Sequence, residues 1–110
     1  MVINPGSTST KFALVEEDVV LFEKTLRHSP EELSGFKRIA DQFHYRKNLI
    51  IEELISGNFD MKLISAVIGR GGVVKPIESG IYEVNQKLRD DLSEAARGEH
   101  ASNLGGLIAF

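Results

Sequence analysis

A polar, turn-forming stretch between two apolar segments opens the chain and most constrains its fold. Residues 4–10 read NPGSTST, seven small, turn-prone or hydroxyl-bearing residues that cannot form a buried helix. The apolar residues 1–3 begin a strand before this stretch, and residues 11–16 predict a second strand after it. A short turn at residues 17–18 then leads to residues 19–26, which have the pattern of an antiparallel partner. The sequence therefore predicts three strands joined by two tight connections.

A helical segment is predicted after these strands. Residues 29–32 read SPEE, in which the serine can cap a helix, the proline suits its first turn, and the second glutamate has capping-box spacing. Apolar residues then recur at helical spacing as far as residue 56. The polar residues 44–48 are a candidate break between two helices, and Gly57 and Asn58 are candidate stop residues.

The second half of the chain predicts a strand followed by two helices. The apolar run at residues 63–68 (LISAVI) indicates a strand covered on both faces, as in a central parallel position. Residues 73–83 contain a proline and a glycine and indicate an irregular loop or edge strand. Apolar residues at four-residue spacing over residues 84–96 predict an amphipathic helix ended by Gly98. Residues 104–110 begin another helix, and their uncapped apolar end leads us to expect a piece of a longer protein.

Charge and composition argue against several classes of protein. The net charge is −3, so no general basic field would attract nucleic acid or anionic lipid. The chain has no cysteine for disulfides or metal ligation, and no apolar run approaches the roughly 20 residues that span a bilayer. We therefore expect a cytoplasmic protein with no nucleic-acid or membrane partner. The basic pairs at residues 37–38 and 46–47 have acidic neighbours and predict a solvated helix face.

Residues 4–11 are a candidate anion site. The N–H groups and hydroxyls of a hairpin rich in Gly, Ser and Thr can hold an anion over the turn. Lys11 adds a positive charge, and Asn4 adds an amide that can orient a phosphoryl oxygen. The stretch is not a Walker loop, because it lacks the GxxxxGK[ST] spacing and leads into a strand. A polar hairpin turn with no ligand fits the same pattern.

Arg70 and His100 are the other candidate site residues. Arg70 follows the apolar run at residues 63–68, and ligands of open α/β sheets gather at the carboxyl ends of strands. Its guanidinium can hold a carboxylate or phosphate through two parallel hydrogen bonds. His100 can stabilise charge on a phosphoryl group. Pairing of the arginine with a surface acid, and a packing or capping role for the histidine, remain alternatives. His28 and His44 have no comparable setting and are predicted to be structural.

Three stretches together resemble the acetate/butyrate kinase family. They are residues 2–11 (VINPGSTSTK), 69–80 (GRGGVVKPIESG) and 98–106 (GEHASNLGG), in the family's order and covering essentially the whole chain. Acetate kinases typically have His-Asn-Pro where residues 100–102 read HAS, and commonly have alanine where this chain has Pro5. These differences favour the butyrate kinase branch.

The resemblance implies both a fold and a reaction. The fold is an α/β, ribonuclease H-like domain of the actin, sugar-kinase and heat-shock ATPase superfamily, with a mixed sheet of three antiparallel strands, then a parallel strand, and flanking helices. Residues 1–110 would be an incomplete N-terminal domain, without the C-terminal nucleotide-binding domain. The reaction is reversible transfer of the ATP γ-phosphoryl group to butyrate or a related short- or branched-chain carboxylate, giving acyl phosphate and ADP with Mg²⁺.

By motif match, the resemblance implies that Asn4, Arg70 and His100 are catalytic. Arg70, with Gly71 and Gly72, would bind the substrate carboxylate or stabilise the transferred phosphoryl charge. No metal ligand is expected within the chain, since the family's other catalytic groups lie in later sequence. The implied phosphate-side hairpin consists of Gly6, Ser7, Ser9, Thr10 and Lys11.

The full-length protein is expected to be a homo-oligomer, whereas the 110-residue chain alone is expected to be inactive and to self-associate through exposed apolar surface. Two other classes share parts of the pattern. A ribonuclease H-like nuclease needs clustered carboxylates, but the first strand here ends in Asn4 instead of an acid. A non-catalytic anion-binding module that uses the same hairpin stays open.

Overall fold

A computed structural model describes residues 1–110 and contains one four-stranded mixed sheet with four helices. The sheet has the order β3-β2-β1-β4, in which β1 is antiparallel to β2 and parallel to β4. β2 and β3 are antiparallel. This topology confirms the predicted α/β class with three antiparallel strands and one parallel strand. The strands are β1 (Val2–Pro5), β2 (Ser9–Glu16), β3 (Val19–Arg27) and β4 (Ile68–Gly69).

The helix start predicted at Ser29 and the helix stop predicted at Gly57 and Asn58 are both confirmed. Ser29 caps the first helix by accepting a hydrogen bond from the Glu32 N–H at 3.1 Å. Gly57 follows the second helix, and Asn58 there has a left-handed φ of 59°. The helices are α1 (Pro30–Leu33), α2 (Phe43–Ser56), α3 (Gln86–Glu94) and α4 (Asn103–Ala109), with 3-10 turns at Ile39–Gln42 and Met61–Leu63.

The break predicted at residues 44–48 is wrong, because those residues lie inside α2. The helical segment is interrupted earlier, at residues 34–38, where a serine and a glycine weaken helix formation. The helix predicted to run to Gly98 also ends earlier, at Glu94, where Ala95 adopts a left-handed φ of 53°. The last helix begins within one residue of its predicted start.

The central strand predicted at residues 63–68 is largely wrong. Only Ile68–Gly69 pairs with β1, and a 3-10 turn at Met61–Leu63 precedes it. Because β1 is its one sheet neighbour, β4 is an edge strand and not a central one. The side chain of Leu63 is 80% exposed and that of Ile68 is 47% exposed. An apolar run alone does not distinguish a buried strand from a partly exposed edge.

The core lies between one face of the sheet and the helices. Alternate residues of β1 and β2 point inward, and Ile3 and Phe12 there pack with Ile50 and Leu54 of α2. Burying such a side chain contributes about 1.5–3 kcal/mol relative to leaving it exposed. A second cluster joins Leu92 of α3 to two leucines of α4. α4 therefore ties the sheet to the C-terminal part of the chain.

Candidate functional site

The phosphate-side hairpin presents unpaired donors to solvent. Its turn, at residues 6–8, joins β1 to β2, and Asn4 and Lys11 are cross-strand partners with exposed side chains. The Lys11 ammonium forms an ion pair with Glu23 at 2.9 Å. The backbone N–H groups of Ser7 and Thr8, and the hydroxyls of the same residues, make no hydrogen bond within the chain. Successive free N–H groups at a turn form a concave site for an anion.

Thr10 is the one predicted hairpin residue that points into the protein. Its hydroxyl is buried and lies 2.8 Å from Nε2 of His28. His28 is therefore structural, as predicted. Burial, and then the charge of Arg46, lower the pKa of this histidine. Its Nδ1 is buried without a hydrogen-bond partner, so a protonated ring would bury an unpaired N–H donor there.

Arg46 of α2 lies beneath the hairpin, so its predicted position on a solvated helix face is wrong. The side chain is fully buried, and its guanidinium donates hydrogen bonds to the carbonyls of Gly6 at 2.6 Å, Ser9 at 2.9 Å and Ser7 at 3.1 Å. It also donates to Oε1 of Gln42, from Nε at 3.0 Å and from Nη2 at 2.8 Å. Burial lowers the pKa of this arginine. The local sequence pattern did not indicate these long-range partners.

Arg70 follows β4 directly and continues its ladder. Its N–H donates to the carbonyl of Ile3 at 2.8 Å, and the parallel register pairs Ile3 with Gly69. One further step of this register places Arg70 beside Asn4 on the face of the sheet away from α2. The exposed Arg70 guanidinium makes no ion pair within 4.0 Å, so the alternative pairing with a surface acid is not observed. Asn4, Lys11 and Arg70 therefore share one open sheet face.

Close contacts at two glycines bring the start of α4 to β4 and the loop after it. A Cβ atom built on Gly69 would lie 2.0 Å from the carbonyl oxygen of Gly105, so only glycine fits there. Gly71 has a φ of 84°, and a Cβ atom on it would lie 2.8 Å from Cβ of Ser102. The loop that carries Arg70 and the turn that carries His100 thus meet directly.

His100 is exposed and oriented by the turn before α4. Its Nδ1 accepts the Ser102 N–H at 3.1 Å and lies 2.7 Å from Oγ of Ser102. Because Nδ1 accepts, the neutral ring carries its proton on Nε2, which makes no hydrogen bond within the chain. The ring can therefore donate from Nε2 to an incoming oxygen.

Asn103 holds two of the site's loops together, a role that was not predicted from the sequence. Its side chain is 2% exposed; its Oδ1 accepts the Val73 N–H at 2.7 Å, and its Nδ2 donates to the Gly98 carbonyl at 3.0 Å. It thereby links the glycine-rich loop after Arg70 to the turn before His100. Its place in the third motif, residues 98–106, is the sequence signal that could have indicated this role.

A groove of about 860 Å³ runs beside Gly71 and Gly72 and is lined mainly by apolar side chains, including Ile77, Leu88 and Phe110.

No three His, Cys, Asp or Glu side chains in the chain cluster in a way that could hold a metal ion. None of the helices has both the length and the apolar character needed to cross a bilayer.

Comparison with known proteins identifies close relatives. Butyrate kinase 1 of Clostridium acetobutylicum is 52% identical over 109 residues, which cover 99% of this chain and 31% of that protein. Butyrate kinase 2 of the same organism is 51% identical, and a "Probable butyrate kinase" of Listeria monocytogenes is 47% identical, both with the same coverage. No protein-family model matches the chain. The expected resemblance to butyrate kinases is confirmed, and the chain spans 31% of the length of these relatives.

Proposed function

We propose that the protein containing this chain performs the reaction of a butyrate kinase: reversible transfer of the γ-phosphoryl group of ATP to butyrate or a related short- or branched-chain carboxylate. The observation that carries the proposal is the identity of 47–52% to butyrate kinases over 99% of the chain. The shared open face of Asn4 and Arg70 supports it, because phosphoryl transfer depends mainly on positioning and charge neutralisation.

In this proposal a carboxylate oxygen of the substrate forms a bond to the γ-phosphorus while the bond to the bridging oxygen of ADP breaks. ADP leaves with the bonding electron pair, and no proton transfer is required. Arg70 holds the carboxylate and neutralises charge on the transferred group, and Nε2 of His100 donates a hydrogen bond to the same group. Asn4 and the free N–H groups of the hairpin orient the phosphoryl oxygens. The apolar groove beside Gly71 and Gly72 suits the alkyl chain.

We further propose that the chain is an incomplete N-terminal domain with the ribonuclease H-like fold of the actin, sugar-kinase and heat-shock ATPase superfamily. The mixed sheet, in which a parallel strand follows an antiparallel meander, supports this assignment. The nucleotide-binding domain would lie in the rest of the protein, together with ligands for the Mg²⁺ that would neutralise phosphate charge. The isolated chain would then be inactive. The whole protein is expected to be a cytoplasmic homo-oligomer without nucleic-acid or membrane partners.

The test is ATP-dependent acyl phosphate formation by the intact protein, with hydroxylamine trapping of the product. Acetate, propionate, butyrate and isobutyrate are compared as substrates. We expect phosphorylation of butyrate or a branched acid, and a loss of about 10²–10³-fold in Arg70→Ala, as for removal of one transition-state donor. Arg97→Ala is the matched control, because Arg97 is an exposed arginine without a partner in the chain. If the intact protein phosphorylates none of these acids, the proposal fails and a non-catalytic anion-binding role replaces it.

A further inference from the structure

Arg46 is a buried cation for which the chain supplies no anion. Its guanidinium forms no ion pair with any carboxylate within 4.0 Å, and all its hydrogen bonds go to neutral oxygens. The titratable groups that interact with its charge are His28, whose lowered pKa favours the neutral ring, and Tyr45, whose hydroxyl donates to the Glu32 carboxylate. Buried charges in proteins are usually paired, because desolvation of an unpaired charge is costly. A buried charge that no carboxylate neutralises therefore needs a physical explanation.

The hairpin gives that account, because its two sides have opposite polarity. Its carbonyls at Gly6, Ser7 and Ser9 turn inward to Arg46, while the N–H groups of Ser7 and Thr8 face solvent without partners. The guanidinium therefore fixes which groups face out, and it polarises the peptide units so that their outer N–H groups are stronger donors. Its own positive charge lies directly behind the same turn.

We propose that Arg46 is a positioning residue for phosphate, whose charge is left unneutralised within the protein so that a phosphate group bound over the hairpin serves as its counter-charge. The inference rests on the proposed function for the identity of the anion, which would be a phosphate of the nucleotide. Arg46 does not touch that anion; it acts through the three carbonyls and through its field.

Gln42 allows this role to be separated from a purely structural one. Its Oε1 already accepts two hydrogen bonds from Arg46, so Gln42→Glu places a carboxylate of the same shape where a guanidinium can bind it through two bonds. If Arg46 only stabilises the fold, this variant should be at least as stable and should bind phosphate unchanged. If its free charge attracts the anion, the variant should remain folded and bind phosphate more weakly.

The experiment measures ATP and inorganic phosphate binding to the intact protein by isothermal titration calorimetry, without carboxylate. For charges about 8 Å apart at an effective dielectric constant of about 20, neutralisation should weaken ATP binding about tenfold or more. Asn48→Glu is the matched control, because it adds the same charge at an exposed position of α2, the helix that begins directly after Gln42. Its affinity should stay within about twofold of that of the unaltered protein.

Equal ATP affinity in the unaltered protein and in folded Gln42→Glu overturns the inference, as does a lack of any ATP or phosphate binding by the unaltered protein. If Gln42→Glu does not fold, ATP binding is compared between Arg46→Lys and Arg46→Met instead. The lysine keeps the charge, so it should bind ATP about tenfold more tightly than the methionine, and equal binding overturns the inference. These readouts do not require turnover. Failure to phosphorylate carboxylates with intact ATP binding would therefore count against the proposed function alone.

Discussion

The contact between β4 and α4 predicts a severe effect of the smallest possible substitution, Gly69→Ala. The added Cβ atom would lie 2.0 Å from the Gly105 carbonyl oxygen and 2.1 Å from its carbon. Both are backbone atoms, so no side-chain rotation relieves the overlap. Restoring an ordinary contact of 3.4 Å from 2.0 Å requires β4 and α4 to separate by about 1.4 Å. Overpacking of this kind costs about 1–3 kcal/mol, occasionally more.

The same displacement moves the two candidate catalytic loops apart. Arg70 follows β4 and His100 precedes α4, so a shift between these elements changes the distance between the two side chains. A misplacement of about 1 Å can reduce a catalytic rate about 100-fold. We therefore expect kcat/KM for acyl phosphate formation by the intact protein to fall at least about 100-fold in Gly69→Ala.

The control is Gly35→Ala, because a Cβ atom at Gly35 would meet nothing within 4 Å. Its activity and thermal unfolding should match those of the unaltered protein. Circular dichroism separates loss of the fold from loss of geometry in Gly69→Ala. Activity of that variant within about threefold of the unaltered protein, with an unchanged unfolding temperature, would refute the reasoning.

Two further predictions concern stability. Because burial and Arg46 lower the pKa of His28 in the folded state, its contribution should be complete above the unfolded pKa of about 6.5 and decline as the pH falls below it. The urea midpoint should therefore drop between pH 7 and pH 5, and an equally steep drop in His28→Gln would contradict this linkage. Leu54→Ala should lower the free energy of unfolding by about 2–5 kcal/mol, since Leu54 is 1% exposed. Ile55→Ala, at a side chain that is 64% exposed, should change it by less than about 0.5 kcal/mol in urea unfolding, and equal losses would refute the assigned core.

Features with a local physical cause were predictable from the sequence. The N-cap at Ser29 and the helix stop at Gly57 depend on residues within one turn, and the polar hairpin depends on residues 4–10. The three-strand meander follows from these short-range signals. The position of Arg70 just after a parallel strand was also predicted, although that strand is shorter and more exposed than expected.

Features with distant causes were not predictable. The burial of Arg46 depends on carbonyls 37–40 positions earlier in the chain, and its neighbours Lys47 and Asn48 suggest a solvated surface. The edge position of β4 depends on which strands are adjacent in the sheet, a property that an apolar run does not encode. The role of Asn103 depends on two loops that meet only in the folded chain.

The placement of β1 between β2 and β4 also has a consequence for biosynthesis. One edge of β1 pairs with β2, which follows within a few residues. The other edge pairs with Ile68 and Gly69, which are synthesised much later. After β3 is complete at Arg27, a ribosome that adds about 5–20 residues per second needs about 2–8 s to produce them. During this interval the nascent meander has an open edge on β1, where unpaired N–H and C=O groups can recruit another strand. Slower translation between these points should therefore increase the demand for chaperones.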